Sequence, residues 1–503
     1  MKFYEIDTAL SEAIERADSP VRLRISLDWS NTGFFESVFE QDIIEASFTG
    51  LKETTGGTSA RGEVLLDNTY GGYASGGNGG KGAGKEVRIG FSLGEGLSFF
   101  ERFILYVDDQ GFQDIRGPGR KRFLRLVLRD RTALLRKTDE NRDWTAPAVF
   151  TYSVICDKTQ PEKSLVHLIA KRAGIETSDI DCATIPITLP YIRLTKNVWE
   201  ELSELAYTYR AHLECAPEKP LVFAHSPYQS ETETIPDDEA YCFTGEAIFY
   251  LGVTARADLY RNTIRLKINI PVALERQEIW RYEDAPVLYD EDLIPRYPFR
   301  ASMVREIEVA GYEARYFITE GNGQRRWVTF ADEIDTKAQA NSRIEHEGGS
   351  FEYAAYDTTT HRDRAIITLQ HDQDGDVYRA AIYGRPIVHD LNRSCFLRDE
   401  AAITQHGTAA LNVTGAYFSE DDVHGKRQYE DWTRRELAER LPERREYTVK
   451  THRGLFNARI GADVQIETKA EKVTGTINSL TFRYRRDAAF VAVFRFLETG
   501  GTT

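Results

Sequence analysis

The first 130 residues alternate between apolar and polar side chains in short runs. The runs "VRLRISLDW", "IIEASFTGL", "EVRIGFSLG", "RFILYVDD" and "RFLRLVLRD" lie between Val21 and Asp130. In the third run, Val87, Ile89 and Phe91 alternate with polar or small residues. A period of two predicts half-buried strands, and the turns between the runs favour a small barrel or sandwich.

The hydrophobic period changes to that of helices between Thr151 and Ser226. The stretch "PEKSLVHLIAKRAG" has Pro161 in its first turn and ends at Gly174, and "TKNVWEELSELAYTYRAHL" begins at Thr195, whose hydroxyl can cap a helix. Each stretch carries apolar residues on one face. The runs "HLECA" and "PLVFAHS" follow as strands, so this segment predicts a compact α/β module.

Strand-like runs return after the α/β segment. Between about Ala240 and Phe396 they include "RLKINIPVAL" and "RAIITLQ". The stretch "KRQYEDWTRRELAERL" then predicts a helix, which Pro442 ends. Runs such as "GADVQIETKA" and "AAFVAVFRFLE" follow and predict a second small barrel.

The whole pattern predicts an α+β, mainly β, multi-domain fold with two small β-barrels and an inserted α/β module. A chain of 503 residues suggests about three or four domains. The expected units are an N-terminal β-barrel domain with a glycine-rich insertion (1–145), an α/β module (146–235), a β-rich middle domain (236–400), and a helix with a C-terminal β-barrel domain (401–503). We expect no appended muralytic or fibre domain.

The stretch "GGKGAGKE" imitates a phosphate-binding loop. Gly79, Gly84 and Lys85 satisfy the spacing G-x-x-x-x-G-K, but Glu86 stands where a hydroxyl would hold magnesium and would repel phosphate. The chain also leaves this stretch as a strand and not as a helix. We therefore interpret the region around Gly71 to Gly84 as a flexible glycine-rich loop between two strands.

Composition and charge narrow the class of protein. Hydrophobic residues make up 41% of the chain, which excludes disorder for most of its length. Neither an apolar window of about 18 residues nor an N-terminal signal core is present, so the chain is expected neither to span a membrane nor to follow the general secretory route. The net charge of −15 opposes tight binding of nucleic acid but lets DNA slide past.

The cysteines indicate a reducing compartment, the cytoplasm. Their number is odd, their spacing is wide, and no C-x-x-C pair occurs, which argues against a disulfide framework or a zinc site. They are Cys156, Cys182, Cys215, Cys242 and Cys395. The ten histidines show no H-x-x-H spacing, so no metal or cofactor is predicted.

Sequence motifs for catalysis are weak. The literal G-x-S-x-G in "GFSLG" would make Ser92 a nucleophile, but the alternation continues through it and places Ser92 on the polar face of a strand. The densest group of carboxylates is interpreted as a solvated loop; it comprises Glu283, Asp284, Asp290, Glu291 and Asp292. The sequence therefore predicts no catalytic residue and no enzyme.

One basic turn and the glycine-rich loop are the candidates for partner contact. The turn "RGPGRKR" carries four cations that could meet phosphate or an acidic partner, or could be an ordinary solvated turn. The candidate contact residues are Gly79, Gly84, Lys85, Arg116, Arg120, Lys121 and Arg122.

The order of these segments resembles the baseplate hub or tail-tip proteins of bacteriophages and of related contractile injection systems. Residues Leu165 to Ile175, Trp199 to Tyr209 and Leu221 to Phe223 are similar to the helices and strand of the family's α/β module. Residues Gly461 to Val464 and Gly475 to Ser479 are similar to the strands near its end. The long glycine-rich insertion and the middle segment depart from the family pattern.

The resemblance implies a homotrimer in which each subunit supplies two similar barrels, so that three chains present six. Such a hub would join a sixfold tail tube or distal tail protein to a threefold spike or fibre, and would gate the passage of DNA that it does not bind specifically. It would be assembled in the host cytoplasm and reside in the virion tail. The glycine-rich loop would reach a neighbouring subunit.

Two other classes of function stay open at this stage. A cell-wall carbohydrate-processing enzyme would use carboxylates of the middle region, and a host-binding adhesin would bind cells directly. The hub hypothesis predicts a stable ring or trimer and no peptidoglycan turnover, so the assembly state distinguishes the three classes of function.

Overall fold

The computed structural model consists mainly of β-strands, with five helices among the residues that it describes. It describes residues 20–28, 35, 37–53, 56–69, 84–94, 96–118, 121–137, 149–194, 196–217, 219–231, 240–273, 275, 277–281, 288–289, 295–296, 300–301, 305–309, 317–319, 325–327, 330–334, 342–347, 351–353, 365–371, 375–415, 417–453, 456–468 and 472–499. The mainly β prediction is confirmed.

The N-terminal region folds as the alternation predicts. Its elements are β1 (Val21–Leu27), β2 (Ser37–Phe39), β3 (Ile43–Lys52), β4 (Gly57–Asp67), β5 (Glu86–Leu93), β6 (Phe100–Arg116), β7 (Arg122–Arg129) and the helix α1 (Arg131–Arg136). The seven strands pair antiparallel in the order β2-β1-β5-β6-β7-β4-β3. Leu23, Ile25 and Leu27 point inward at every second position of β1, because successive side chains of a strand face opposite sides.

The next region contains both predicted helices. Its elements are β8 (Val149–Cys156), α2 (Leu165–Lys171), a 3₁₀ turn (Thr177–Asp179), β9 (Ile180–Cys182), β10 (Ile185–Arg193), α3 (Val198–Tyr209), β11 (His212–Glu214) and β12 (Leu221–Ala224). Helix α2 begins four residues later than Pro161, after Ser164. Helix α3 is capped by Asn197, whose side chain accepts the Glu200 N–H at 2.9 Å. Thr195, the predicted cap, lies outside the described residues.

The middle region is rich in strands, as predicted. Its strands are β13 (Tyr241–Thr244), β14 (Tyr250–Ala255), β15 (Thr263–Ala273), β16 (Gln277–Arg281), β17 (Leu288–Tyr289), β18 (Pro295–Arg296), β19 (Arg300–Ala301), β20 (Arg305–Val309), β21 (Phe317–Thr319), β22 (Arg325–Trp327), β23 (Phe330–Ile334), β24 (Ser342–Glu347), β25 (Phe351–Tyr353), β26 (Ala365–His371) and β27 (Gly375–Arg398), with 3₁₀ turns at Gly245–Ala247 and Ala257–Leu259. The long strand β27 pairs with five of them.

The C-terminal region contains the predicted helix and strands. Its elements are α4 (Glu400–His406), β28 (Ala410–Gly415), β29 (Asp422–Val423), β30 (Lys426–Arg427), α5 (Gln428–Arg440), β31 (Arg445–Thr451), β32 (Asp463–Glu467), β33 (Lys472–Arg485) and β34 (Ala488–Glu498). On α5, Trp432 is buried, as the apolar pattern requires. Asp431 and Glu436 are buried too, because they pair with Arg435 at 2.6 Å and Arg210 at 3.1 Å.

The two ends of the chain meet in one continuous sheet. Strand β3 pairs antiparallel with β33, from Glu45 opposite Arg485 to Leu51 opposite Ser479. This contact joins the N-terminal strands to β33, β34, β31 and β32, and the resulting sheet has 16 strands. The sheet also takes in β13 and β14 from the start of the middle region. The described strands contain no closed barrel, so the prediction of two barrels is not confirmed.

A cluster of phenylalanine rings packs across this junction. The Phe91 ring on β5 stacks on Phe456 with 4.7 Å between centroids and lies 5.3 Å from Phe482 on β33. Phe103 on β6 contacts Phe482 edge-on at 6.0 Å. The apolar residues of both ends therefore form one common core.

We expect a charge in the C-terminal part of this core to unfold it. Val464 and Ile477 are buried on β32 and β33, and Val464→Asp or Ile477→Asp would bury an unpaired carboxylate at a cost of about 3 kcal/mol or more. Urea denaturation followed by circular dichroism measures the loss. Thr474→Asp, at an exposed position of β33, is the control and should be near neutral. Full stability of both core variants would contradict the strand assignment.

Candidate assembly surface

One edge of the large sheet exposes apolar side chains. Strand β14 pairs with β31 on one side, and no described strand pairs with its other side. Phe249 is 51% exposed, Tyr250 46% and Val253 52%. An edge strand presents unpaired N–H and C=O groups, and the sequence "YLGVTA" lacks the charge or proline that usually protects such an edge.

The aromatic rings at this edge are held in place before any partner binds. The Phe249 ring stacks on His452 with 4.4 Å between centroids. The Lys450 ammonium lies 4.6 Å from the centre of the Tyr250 ring. Fixed rings lose little conformational entropy on binding, so the edge formed by Phe249 to Ala255, which we call the β14 edge, is suited to docking.

The glycine-rich loop leaves and rejoins the sheet at separated points. Asn68 donates its N–H to the Arg122 carbonyl at 2.8 Å, beside the turn that joins β6 to β7. Gly84 donates to the Val107 carbonyl at 2.7 Å, and the Val107 N–H donates to Lys85 at 3.0 Å. The two points are six residues apart along β7, which is about 20 Å. The described ends of the loop are therefore held at the two ends of the paired stretch of β6 and β7, which we call the β6–β7 ribbon.

The predicted contact residues are only partly brought together. Arg116 and Lys121 are exposed at the tip of the β6–β7 ribbon, and the Arg122 guanidinium pairs with Asp114 at 2.5 Å. Gly84 and Lys85 lie at the other end of the ribbon. Gly79 and Arg120 lie outside the described residues. Contact of these residues with a partner stays a prediction.

A buried carboxylate, which sequence motifs did not reveal, joins three parts of the chain. Glu214 on β11 lies 3.2 Å from His212 and 3.2 Å from Arg459, which precedes β32. Arg102 on β6 is nearby and donates to the Ala458 carbonyl at 2.9 Å. Burial opposes ionisation of Glu214, but the contact with His212 and the charges of Arg459 and Arg102 outweigh it and lower the pKa to about 2.

A cleft of about 570 Å³ lies between β3, α3 and α5. Its charges are largely paired, with Glu436 accepting from both Arg210 and Arg440. Burial and the nearby Glu436 raise the pKa of Tyr207 to about 12. Mutual neutralisation suits a structural contact between helices and sheet better than acid–base chemistry.

Three buried side chains could hold a metal ion. The Cys156, His167 and Cys182 donor atoms all lie within 4.8 Å of one another. A hydrogen bond with Cys156 lowers the pKa of Cys182 to about 6; His167 adds to this effect and burial opposes it. Burial raises the pKa of Cys156. No motif predicted this cluster, because the two cysteines are 26 positions apart and only the fold brings them to the histidine.

The described residues do not assemble the weak catalytic motifs. Ser92 lies on β5, as the alternation predicts, but it is buried and not on an exposed polar face, and its hydroxyl donates to the Leu97 carbonyl at 3.0 Å. The densest carboxylate group of the sequence lies outside the described residues; it comprises Glu283, Asp284, Asp290, Glu291 and Asp292. Among the helices that the structure describes, none is long and apolar enough to cross a membrane.

Removing the charge of Glu214 should destabilise the protein in a pH-dependent way. Because folding lowers the Glu214 pKa from its ordinary 4.5 to about 2, its stabilising contribution is complete above about pH 4.5 and is lost as the pH falls toward 2. Glu214→Gln should therefore cost about 3 kcal/mol near neutral pH, and less in acid. Urea denaturation across pH 2 to 7 measures this. The exposed Glu467→Gln is the control, and a pH-independent loss would contradict the ion-pair account.

No protein-family model and no curated protein matches the chain. Solved structures do match along nearly its whole length. The 43 kDa tail protein of prophage MuSo2 from Shewanella oneidensis is 11% identical and has a TM-score of 0.47. The match covers 95% of this chain and 98% of that chain. The tail protein from Neisseria meningitidis MC58 is 10% identical, with a TM-score of 0.48 and coverage of 96% and 97%. Prophage tail protein gp18 from Listeria monocytogenes EGD-e is 8% identical, with a TM-score of 0.40 and coverage of 96% and 95%.

These three proteins are tail proteins, the class that the sequence resemblance indicates.

Proposed function

We propose that the protein is a structural hub at the tip of a phage tail or phage-like particle. It joins a sixfold tail tube to a threefold spike or fibre, and it gates the passage of DNA. The observation that carries this proposal is the pairing of β3 with β33, which sets the N-terminal and C-terminal strands side by side in one sheet.

The physical basis is symmetry matching. A trimer whose subunits each hold two neighbouring strand-rich units presents six such units to a sixfold tube. The two units must keep a fixed mutual position for this to work. Backbone pairing along seven residue pairs of β3 and β33 and the shared phenylalanine core supply that rigidity.

The contact surfaces in this proposal are the β14 edge and the ribbon with its glycine-rich loop. Strand β14 would pair with a neighbouring copy by main-chain hydrogen bonds, and Phe249 and Val253 would be buried between subunits. The glycine-rich loop would pack against a neighbour, because glycine permits close approach of another backbone. Partners would be further copies of this chain, a tail tube or distal tail protein, and a spike or fibre.

The formal charge of −15 fits a channel wall that repels phosphate and lets DNA pass unbound. In this account the protein is not an enzyme, and it resides in the virion tail after assembly in the host cytoplasm.

The mass of the purified protein in solution tests the proposal. Sedimentation or mass photometry should give a particle of three times 57.3 kDa. The same preparation should neither release fragments from peptidoglycan nor bind host cells. A monomer that cleaves peptidoglycan would favour a cell-wall enzyme, and a cell-binding monomer would favour an adhesin.

A charge at the β14 edge should weaken assembly. Val253→Lys places a cation in the proposed interface, and we expect the trimer to dissociate at least ten-fold more readily, as measured by mass photometry across a dilution series. Leu134→Lys is the matched control, because Leu134 is 40% exposed on α1 and lies on neither free edge of the sheet. Equal effects of the two substitutions would contradict the assignment of this edge.

Replacing the glycines of the loop should also weaken assembly without unfolding the subunit. The variant carries a serine-rich segment of equal length at residues 72–83 and keeps Gly84 and Lys85, which bond to Val107. We expect an unchanged circular dichroism spectrum and a smaller trimer fraction at equal concentration. Unchanged assembly would remove the proposed role of the loop.

A further inference from the structure

The cluster of Cys156, His167 and Cys182 combines three metal-type donors from three different elements. Cys156 ends β8, His167 lies on α2, and Cys182 ends β9. The Cys182 Sγ and His167 Nε2 atoms are 3.9 Å apart. Two ligands of a tetrahedral Zn²⁺ with Zn–S near 2.3 Å and Zn–N near 2.1 Å lie about 3.6 Å apart, so this pair of donors needs only a small inward shift to reach zinc-binding geometry.

His167 is oriented by Ser164, which makes no helix-capping hydrogen bond and contacts the imidazole instead. Ser164 immediately precedes α2, where a serine hydroxyl commonly accepts a backbone N–H, but it makes no such cap. Its Oγ lies 2.7 Å from His167 Nδ1. This contact turns Nε2 toward the thiols, and when Nδ1–H donates to the serine oxygen, Nε2 keeps a free lone pair, which is how metal-binding histidines are usually held.

Simple core packing explains the cluster less well. Buried polar groups are costly unless paired, and an apolar core needs neither a thiol pair nor an imidazole. Among the residues that the structure describes, this is the one group of three cysteine, histidine or carboxylate side chains with converging donor atoms. Cys242, by contrast, is exposed and stands apart from it.

We propose that Cys156, His167 and Cys182 bind one Zn²⁺ ion, with Ser164 as the residue that positions His167 and with a water molecule at the fourth position. The two thiols lose their protons to solvent on binding, and the two thiolates balance the charge of the ion. His167 and Cys182 are each 5% exposed and Cys156 is fully buried, so Cys156 is the innermost of the three ligands. Zinc then ties β8, α2 and β9 together. This inference goes beyond the proposed function and does not depend on it.

Cobalt titration of the full-length protein tests the site directly. The reduced, EDTA-stripped protein should bind one Co²⁺ per chain, with a thiolate-to-cobalt charge-transfer absorption and the strong visible bands of a tetrahedral ion, and Zn²⁺ should displace it. Zinc should also raise the melting temperature of the stripped protein. The absence of these bands in the reduced protein would overturn the proposal.

Three variants separate the site from adventitious binding. Cys182→Ser should abolish the cobalt absorption, and Cys242→Ser, the exposed control, should leave it unchanged. Ser164→Ala should keep the bands and one-to-one stoichiometry but weaken Zn²⁺ binding about 10- to 100-fold, because only the orientation of His167 is lost. Unchanged binding by a folded Cys182→Ser variant would overturn the assignment.

A measurement on the unmodified protein covers the case in which Cys182→Ser does not fold. Zinc should slow alkylation of Cys156 and Cys182 at least ten-fold, as mapped by peptide mass spectrometry, and should leave Cys242 unaffected. Equal alkylation rates with and without zinc in the reduced protein would show that no metal is held there.

Discussion

The antiparallel pairing of β3 with β33 is the contact on which the rest of the structure depends. It links strands more than 400 positions apart in the chain, so its loop-closure entropy must be offset by the contacts formed across it. Backbone hydrogen bonds set the register, and the rings of Phe91, Phe456 and Phe482 fill the space beneath. The result is one sheet and one core built from both ends of the chain.

The α/β region is fastened to this core by charge as well as by apolar packing. Glu214 places a carboxylate between Arg102 of the N-terminal strands and Arg459 of the C-terminal region. Arg210 makes the corresponding link to Glu436 on α5. Buried ion pairs of this kind contribute little net stability but cost much when one partner is removed, so they fix the relative placement of the parts more than they strengthen it. The proposed hub function requires such fixed placement.

The local elements could largely be predicted from the sequence, and the long-range contacts could not. Alternation such as that around Val87 predicts a strand, and helical periodicity predicts a helix, whatever each element packs against. The N-terminal strands and both helices of the α/β region are therefore predictable from local sequence. The burial of Asp431 depends on arginines that fold around it, and the join of β3 to β33 leaves no local mark. The meeting of Cys156 with His167 depends likewise on tertiary structure, because spacing rules detect only ligands near in sequence.

The central claim is that a single chain holds two strand-rich units side by side, so that three copies imitate a sixfold object. Class averages of the negatively stained, purified particle test it most directly. The account predicts a ring of three subunits in which six densities of similar size surround a central opening. Isolated single subunits, or a closed ring with a copy number other than three, would contradict it.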